Sequence, residues 1–146
     1  MADALSPETF DVSARKFHQA LCVALLALAY VLGPPAAVVL VGLVGAVLLI
    51  GRFWWPADLF RQLAWRVLEP AGILSRREVA EDHSTRRVAR VIGGAALLAS
   101  ALALAAGQPA AWVVVALLAV MIGLDAAFDF CALCWASYQL GRVRAR

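Results

Sequence analysis

The sequence predicts an all-α integral membrane protein: a four-helix bundle made of two helical hairpins, with an interfacial amphipathic helix in its central loop. Three observations carry this. Of the 146 residues, 64% are apolar and only 16% are charged, against about 45–50% and 25% in an ordinary soluble domain; the mean hydropathy is +0.83. The apolar residues are gathered into four blocks of membrane-spanning length. The thirteen Lys and Arg residues all avoid the two short connections within the hairpins. Apolar content this high excludes intrinsic disorder, and six Pro and ten Gly are too few for a collagen-like or linker-like chain. The length bounds the protein to one domain, residues 1–146.

The spans are read at about 17–32, 35–55, 88–106 and 109–129. About 20 apolar residues cross a hydrocarbon core as a helix, with a usable range of about 17–25, whereas a spanning strand needs about 9–11 alternating residues. Only the helix satisfies its backbone within one segment in lipid. The first block is just long enough, the second carries Arg52 near its end, and the fourth stays uncharged from Pro109 to Asp125. Gly33-Pro34-Pro35 joins the first pair and Gly107-Gln108-Pro109 the second. Each combines a Gly able to end a helix with a Pro suited to the next helix's first turn, so each pair is a tight hairpin.

Charge sets the orientation. Arg15 and Lys16 precede the first span, eight arginines lie between the second and third, and Arg142, Arg144 and Arg146 follow the fourth. With four spans these regions share one side, which the positive-inside rule makes cytoplasmic, with both termini there. A cleaved signal peptide ending near Ala27-Leu28-Ala29 is the rival; the acidic Asp3, Glu8 and Asp11 argue against it. Basic residues of the loop alternate with Asp58, Glu69, Glu78, Glu81 and Asp82, which makes no polybasic stripe and gives no nucleic-acid surface.

Within the cytoplasmic loop, about 56–87, Leu59, Phe60, Leu63, Ala64, Val67 and Leu68 recur on one face of a helix. Asp58, Arg61, Gln62, Arg66 and Glu69 take the other face, and Pro56 and Pro70 bound the segment. Such a helix lies in the headgroup layer as an anchor, with Trp54, Trp55 and Trp65 in the interfacial belt. Ser75 to Arg87 is the most polar stretch.

Cys131-Ala-Leu-Cys134 is the one motif that carries chemistry. Counting from Pro109 places it late in the fourth helix, at the cytoplasmic interface. Cys22, entering the first helix from the same side, falls in the same layer, although packing alone also explains a buried Cys. A reducing cytoplasm disfavours a structural disulfide there, so the pair reads as redox exchange or metal binding. Arg142, Arg52 and Lys16 would favour a thiolate, and a helix C-terminus would oppose it. No strand precedes the motif, which excludes a thioredoxin fold. A zinc site normally takes four ligands; Cys131, Cys134, Cys22 and His18 supply them only if helices one and four touch. His18 otherwise reads as interfacial and His83 as solvated. Asp125 and Asp129, one turn apart, are functional candidates by cost alone, with ion pairing of Asp129 to Arg52 or Arg90 as the plain alternative. On a continuous helix they lie opposite Cys134, and one site using both sets requires the helix to be broken. Gly42, Gly45, Gly93, Gly94 and Gly123 suit close helix packing.

Glu81-Asp82 with Arg87, Ala89 and Gly93 downstream, and the ending Phe128-Asp-Phe-Cys-Ala-Leu-Cys-Trp-Ala-Ser-Tyr138, resemble a bacterial family of small four-span membrane proteins of unknown function. That family typically ends in a Phe-Gly-Phe-Cys-x-Gly-Cys-x-x-Tyr-like segment. The resemblance implies a bacterial inner-membrane location, singles out Arg87, Cys131, Cys134 and Tyr138, and implies thioredoxin- or rhodanese-like cytoplasmic partners. Asp129 and Leu133 stand where the family pattern has Gly, which bears on any close approach at that turn.

Two function classes follow. One is a thiol–disulfide or sulfur relay at the cytoplasmic face, exchanging through Cys131 and Cys134. The other is a non-enzymatic membrane scaffold or a small-solute or sulfur-compound transport component, which would have to form a homo-oligomer to enclose a path. The sequence assigns no cofactor and leaves enzymatic activity open; no phosphate loop, Ser-His-Asp set or haem-type His cluster is visible.

Overall fold

The computed structural model describes residues 9–80 and 84–144. A short strand β1 (Thr9–Asp11) leads into α1 (Val12–Leu32), which pairs with α2 (Ala36–Phe53). A single 3-10 turn, Trp55–Ala57, connects to α3 (Leu59–Leu63), which runs on as a π-helical turn, Ala64–Leu68. After β2 (Glu78–Ala80) come α4 (Ser84–Ala105), α5 (Ala111–Phe128) and α6 (Ala132–Arg144). Four helices are long and apolar enough to cross a membrane: Val12–Leu32, Ala36–Phe53, Arg86–Ala105 and Ala111–Phe128. The all-α four-helix bundle of two hairpins is therefore the observed architecture.

The hairpins turn at Gly33 and Gly107, both at positive φ (67° and 77°), as the Gly-Pro connections require. The four spans close into a ring, α1 against α2 and α5, α4 against α2 and α5, with α2–α4 the most extensive contact. Leu26, Val41, Val44, Leu97 and Val115 fill its centre. Gly45 and Gly94 let α2 and α4 meet backbone to backbone: a Cβ on Gly45 would lie 3.0 Å from the Gly94 oxygen, and one on Gly94 3.0 Å from the Gly45 oxygen. Small residues allow this approach in lipid, where packing rather than hydrophobic exclusion holds helices together. On α5, Ala111 and Val115 are buried while Val113, Leu117, Val120 and Phe128 are exposed. Such an apolar outer surface is suited to lipid contact.

The structure corrects several expectations. Helix α1 begins at Val12 rather than near 17, because Asp11 caps it, its carboxylate accepting from the Ser13 and Ala14 amides at 3.0 and 3.3 Å. Asp11 also accepts from the Trp65 indole at 2.9 Å and the Arg77 amide at 3.4 Å. Burial raises its carboxyl, and these N–H donors outweigh that, so Asp11 titrates below the ordinary carboxylate value. The polar loop is not wholly unstructured: β2 pairs antiparallel with β1, Phe10 opposite Val79. In α3, Leu59, Leu63 and Val67 face outward while Phe60 and Ala64 are buried against the bundle. This segment thus has apolar residues on two faces, and Asp58, read as solvent-facing, is fully buried.

The largest correction concerns the end of the fourth span. The Cys-x-x-Cys is not late in that helix. Helix α5 stops at Phe128, and Asp129 takes the left-handed conformation (φ 56°, ψ 25°) with its amide bonded to the Asp125 carbonyl. This is the usual helix-ending geometry of glycine, which Asp adopts at moderate cost because its short polar side chain tolerates it. A new helix, α6, begins three residues further on, at Ala132.

Candidate functional site: an arginine-lined cavity at one end of the bundle

The charged end of the helix ring holds a half-open cavity of about 640 Å³. Its wall draws on every long helix. Helix α1 supplies Arg15, His18, Gln19 and Cys22, which recur at i, i+3, i+4 and i+7 and so form one stripe. Helix α4 supplies Arg86, Arg87 and Arg90, α2 supplies Arg52, and α3 supplies Arg61. Leu118, Met121, Ile122 and Asp125 come from α5, and Cys131 stands where α6 begins. Among the described residues the wall therefore carries six guanidinium groups and one carboxylate.

Three aspartates organise this charge. Asp58 is buried behind the wall. Its Oδ1 lies 3.0 Å from His18 Nδ1, its Oδ2 accepts from Arg90 Nη2 at 2.5 Å, and Arg61 Nε is 3.8 Å away. Burial pushes the Asp58 carboxyl up; the His18 bond and the Arg90 charge more than reverse this and hold it well below the usual range. Asp125 accepts from Gln19 and, at 3.1 Å, from Arg86 Nη1. Asp129 pairs with Arg15 Nη2 at 2.6 Å and Lys16 Nζ at 3.0 Å. The expected Arg52 or Arg90 pairing is not made, because the break after Phe128 turns Asp129 toward α1. The Lys16 hydrogen bond, with Arg15 and Arg86 nearby, holds its carboxyl below the ordinary value. Cations gathered at the end of α5 also complement its exposed carbonyls.

The break after Phe128 starts α6 beside the cavity, so Cys131 joins Asp125 on its wall. The break also reverses the dipole expected at the cysteines. The Cys131 carbonyl accepts the first hydrogen bond of α6, from the Trp135 amide at 3.0 Å, so Cys131 is at a helix N-terminus, where a thiolate is favoured. Cys131 is disulfide-bonded, and Cys22 is a buried free thiol. The Cys134 side chain lies outside the described residues, as do Glu81, Asp82 and His83.

Of the residues singled out by sequence, Cys22, Cys131, Asp125, Arg52 and Arg87 meet at the cavity. Tyr138 does not line it; the ring is exposed on α6 with Arg142 5.9 Å from its centre. His18 is buried rather than interfacial, its ring tilted against that of Phe60 with centroids 5.3 Å apart. Helices α1 and α5 do touch, yet among the described residues no group of three or more His, Cys, Asp or Glu side chains assembles as a metal site. Sequence reasoning missed that His18, Asp58 and Arg90 form one cluster and that Arg86 pairs with Asp125. The polar stripes at the ends of α1 and α4 were the available signal, since polar side chains on one face of a spanning helix point to the bundle interior.

These features define a small multi-pass α-helical membrane protein with a basic, half-open cavity at one end. Residues 10–142 match the family described as Domain of unknown function (DUF4395), and the chain belongs to it. The comparison with curated proteins gave no match, and the comparison with solved structures gave none either.

Proposed function

We propose that the protein is a membrane thiol–disulfide relay whose exchanging pair is Cys131 and Cys134, with the arginine-rich end of the bundle facing the cytoplasm. The observation that carries this reading is the position of Cys131: disulfide-bonded, at the N-terminus of α6, and on the wall of the basic cavity. A cytosolic disulfide in a mesophile is usually transient and catalytic or redox-sensing rather than structural. The orientation rests on the distribution of the thirteen basic residues.

In this reading a thiolate of a soluble dithiol partner attacks the Cys131–Cys134 disulfide and forms a mixed disulfide. The displaced sulfur leaves as a thiolate and takes up a proton. The partner's second thiol then attacks the mixed disulfide. The partner ends as a disulfide, and this protein as a dithiol holding two electrons and two protons more. The reverse sequence passes both to a disulfide acceptor. The N-terminus of α6 and the nearby guanidinium groups stabilise Cys131 as the leaving or attacking thiolate. A thioredoxin- or rhodanese-like protein would be a partner of suitable chemistry.

The test is a set of single Cys→Ser variants in membranes with acid quench and thiol trapping. Cys134→Ser should accumulate mixed disulfides on Cys131, Cys131→Ser should lose them, and Cys22→Ser should behave as the parent. Absence of any Cys131 disulfide, internal or mixed, under mild oxidation would reject the relay and leave the cysteines as packing residues.

A further inference from the structure

We infer that the basic cavity is a binding site for a phosphate-type oxyanion, and that its natural source is the headgroup of an anionic lipid. This does not depend on the thiol chemistry. The cavity wall carries six arginines against the single carboxylate of Asp125 among the described residues. Most of these cations are anchored by carboxylates, but not all of their donors are used. Arg52 makes no ion pair among the described residues, and its guanidinium lies 5.9 Å from the Phe53 ring centre. Arg90 spends Nη2 on Asp58 while its buried Nε has no hydrogen-bond partner. His18 is 95% buried by its 5% exposure, its Nδ1 faces Asp58, and its buried Nε2 has no hydrogen-bond partner.

Buried guanidinium donors without acceptors are costly unless an acceptor arrives, and a planar guanidinium fork matches the oxygens of a phosphate. A basic pocket between membrane helices is suited to a lipid headgroup. The second feature is a groove of about 340 Å³ lined by Arg52, Phe53, Arg87, Val88, Val91 and Ile92. It shares Arg52, Phe53 and Arg87 with the cavity, so the two adjoin. Its remaining wall is aliphatic and runs along α4. A phosphate held at Arg52 would therefore have an apolar lane beside it for an acyl chain, which a free anion would not need.

The experiment uses the full chain, purified and delipidated in a neutral maltoside detergent. One arm titrates inorganic phosphate against chloride at constant ionic strength and reads thermal stabilisation. The other reads retained lipid by native mass spectrometry with phosphatidylglycerol or phosphatidylcholine. Phosphatidylglycerol should bind saturably and in preference to phosphatidylcholine. Arg52→Gln leaves every described ion pair intact, so the bundle should fold, and it should weaken binding about tenfold, the worth of one charged hydrogen-bond donor. Met121→Trp, which fills the cavity from its apolar wall, should do the same without altering charge. Arg66→Gln, outside the cavity, should bind as the parent. Saturable binding of phosphate but not of either lipid would keep the oxyanion site and overturn the lipid source. No saturable binding in either arm, or equal losses in Arg52→Gln and Arg66→Gln, would overturn the site itself.

Discussion

Arg90 on the third span reaches the buried carboxylate of Asp58, Nη2 to Oδ2 2.5 Å, and so fastens the loop after the second span to the inside of the bundle. His18 on the first span meets the same carboxylate at 3.0 Å. One fully buried aspartate thus ties together α1, α3 and α4. Removing one member of such a set is expensive because it leaves the partners' charge buried and unpaired. Asp58→Asn should destabilise the protein by about 3 kcal/mol or more, measured by thermal unfolding in detergent. The double variant Asp58→Asn with Arg90→Gln should recover part of that loss.

The same carboxylate sets an acid limit. Asp58 titrates below its ordinary value of 3.8 in the folded protein. A group depressed in this way contributes its stabilisation in full above the unfolded value and loses it as pH falls through the folded one. Asp11 and Asp129 are shifted in the same direction. Through these three carboxylates, stability should decline once pH drops below the ordinary carboxylate range. Asp58→Asn should flatten that decline; an unchanged profile would show that Asp58 is not the linked group.

The close approach of α2 and α4 makes a sharp contrast among glycines. Gly45→Ala and Gly94→Ala each push a methyl to 3.0 Å from opposing backbone and should cost about 1–3 kcal/mol. Gly93→Ala, next in sequence to Gly94, meets nothing within 4 Å and should be neutral or slightly stabilising. Equal effects at Gly93 and Gly94 would contradict the observed helix contact.

At the helix break, two effects oppose each other. Asp129→Gly relieves a left-handed non-glycine backbone, worth about 1 kcal/mol, while losing the pairing of its half-exposed carboxylate to Arg15 and Lys16, worth about 1 kcal/mol. Asp129→Ala keeps the backbone cost and loses the pairing. Thermal unfolding should rank Asp129→Gly close to the parent and Asp129→Ala below both.

The four spans and both hairpins are legible in the sequence because each is a long apolar run punctuated by Gly and Pro, a local signal. The break at Asp129 is not. Phe128-Asp-Phe-Cys-Ala-Leu-Cys-Trp-Ala has no Gly or Pro, and the left-handed turn falls on a residue type that more often caps or pairs. The Asp58 cluster is hidden for a different reason. His18, Asp58 and Arg90 come from three elements, with Arg90 32 residues beyond Asp58, and only the folded ring brings them together. Local periodicity gave α3 its apolar face but could not say that Phe60 would turn inward while Leu63 faced out.

That arrangement of α3 is itself testable. Leu59, Leu63 and Val67 are exposed on the bundle surface and should be lipid-facing if the helix lies in the headgroup layer. Spin labels there should be shielded from a water-soluble relaxation agent, whereas one at Arg66 should be accessible. Equal accessibility of all four sites would contradict an interfacial position.

The most direct measurement of the central claim is a redox titration of Cys131 and Cys134 in the membrane-embedded protein, followed by mass-resolved thiol labelling. The account predicts a reversible two-electron couple within reach of cytosolic glutathione, about −220 to −320 mV. It also predicts that the couple is lost in Cys131→Ser and retained in Cys22→Ser. Thiols that stay reduced across the whole range, or a bond that no cytosolic reductant opens, would contradict the relay.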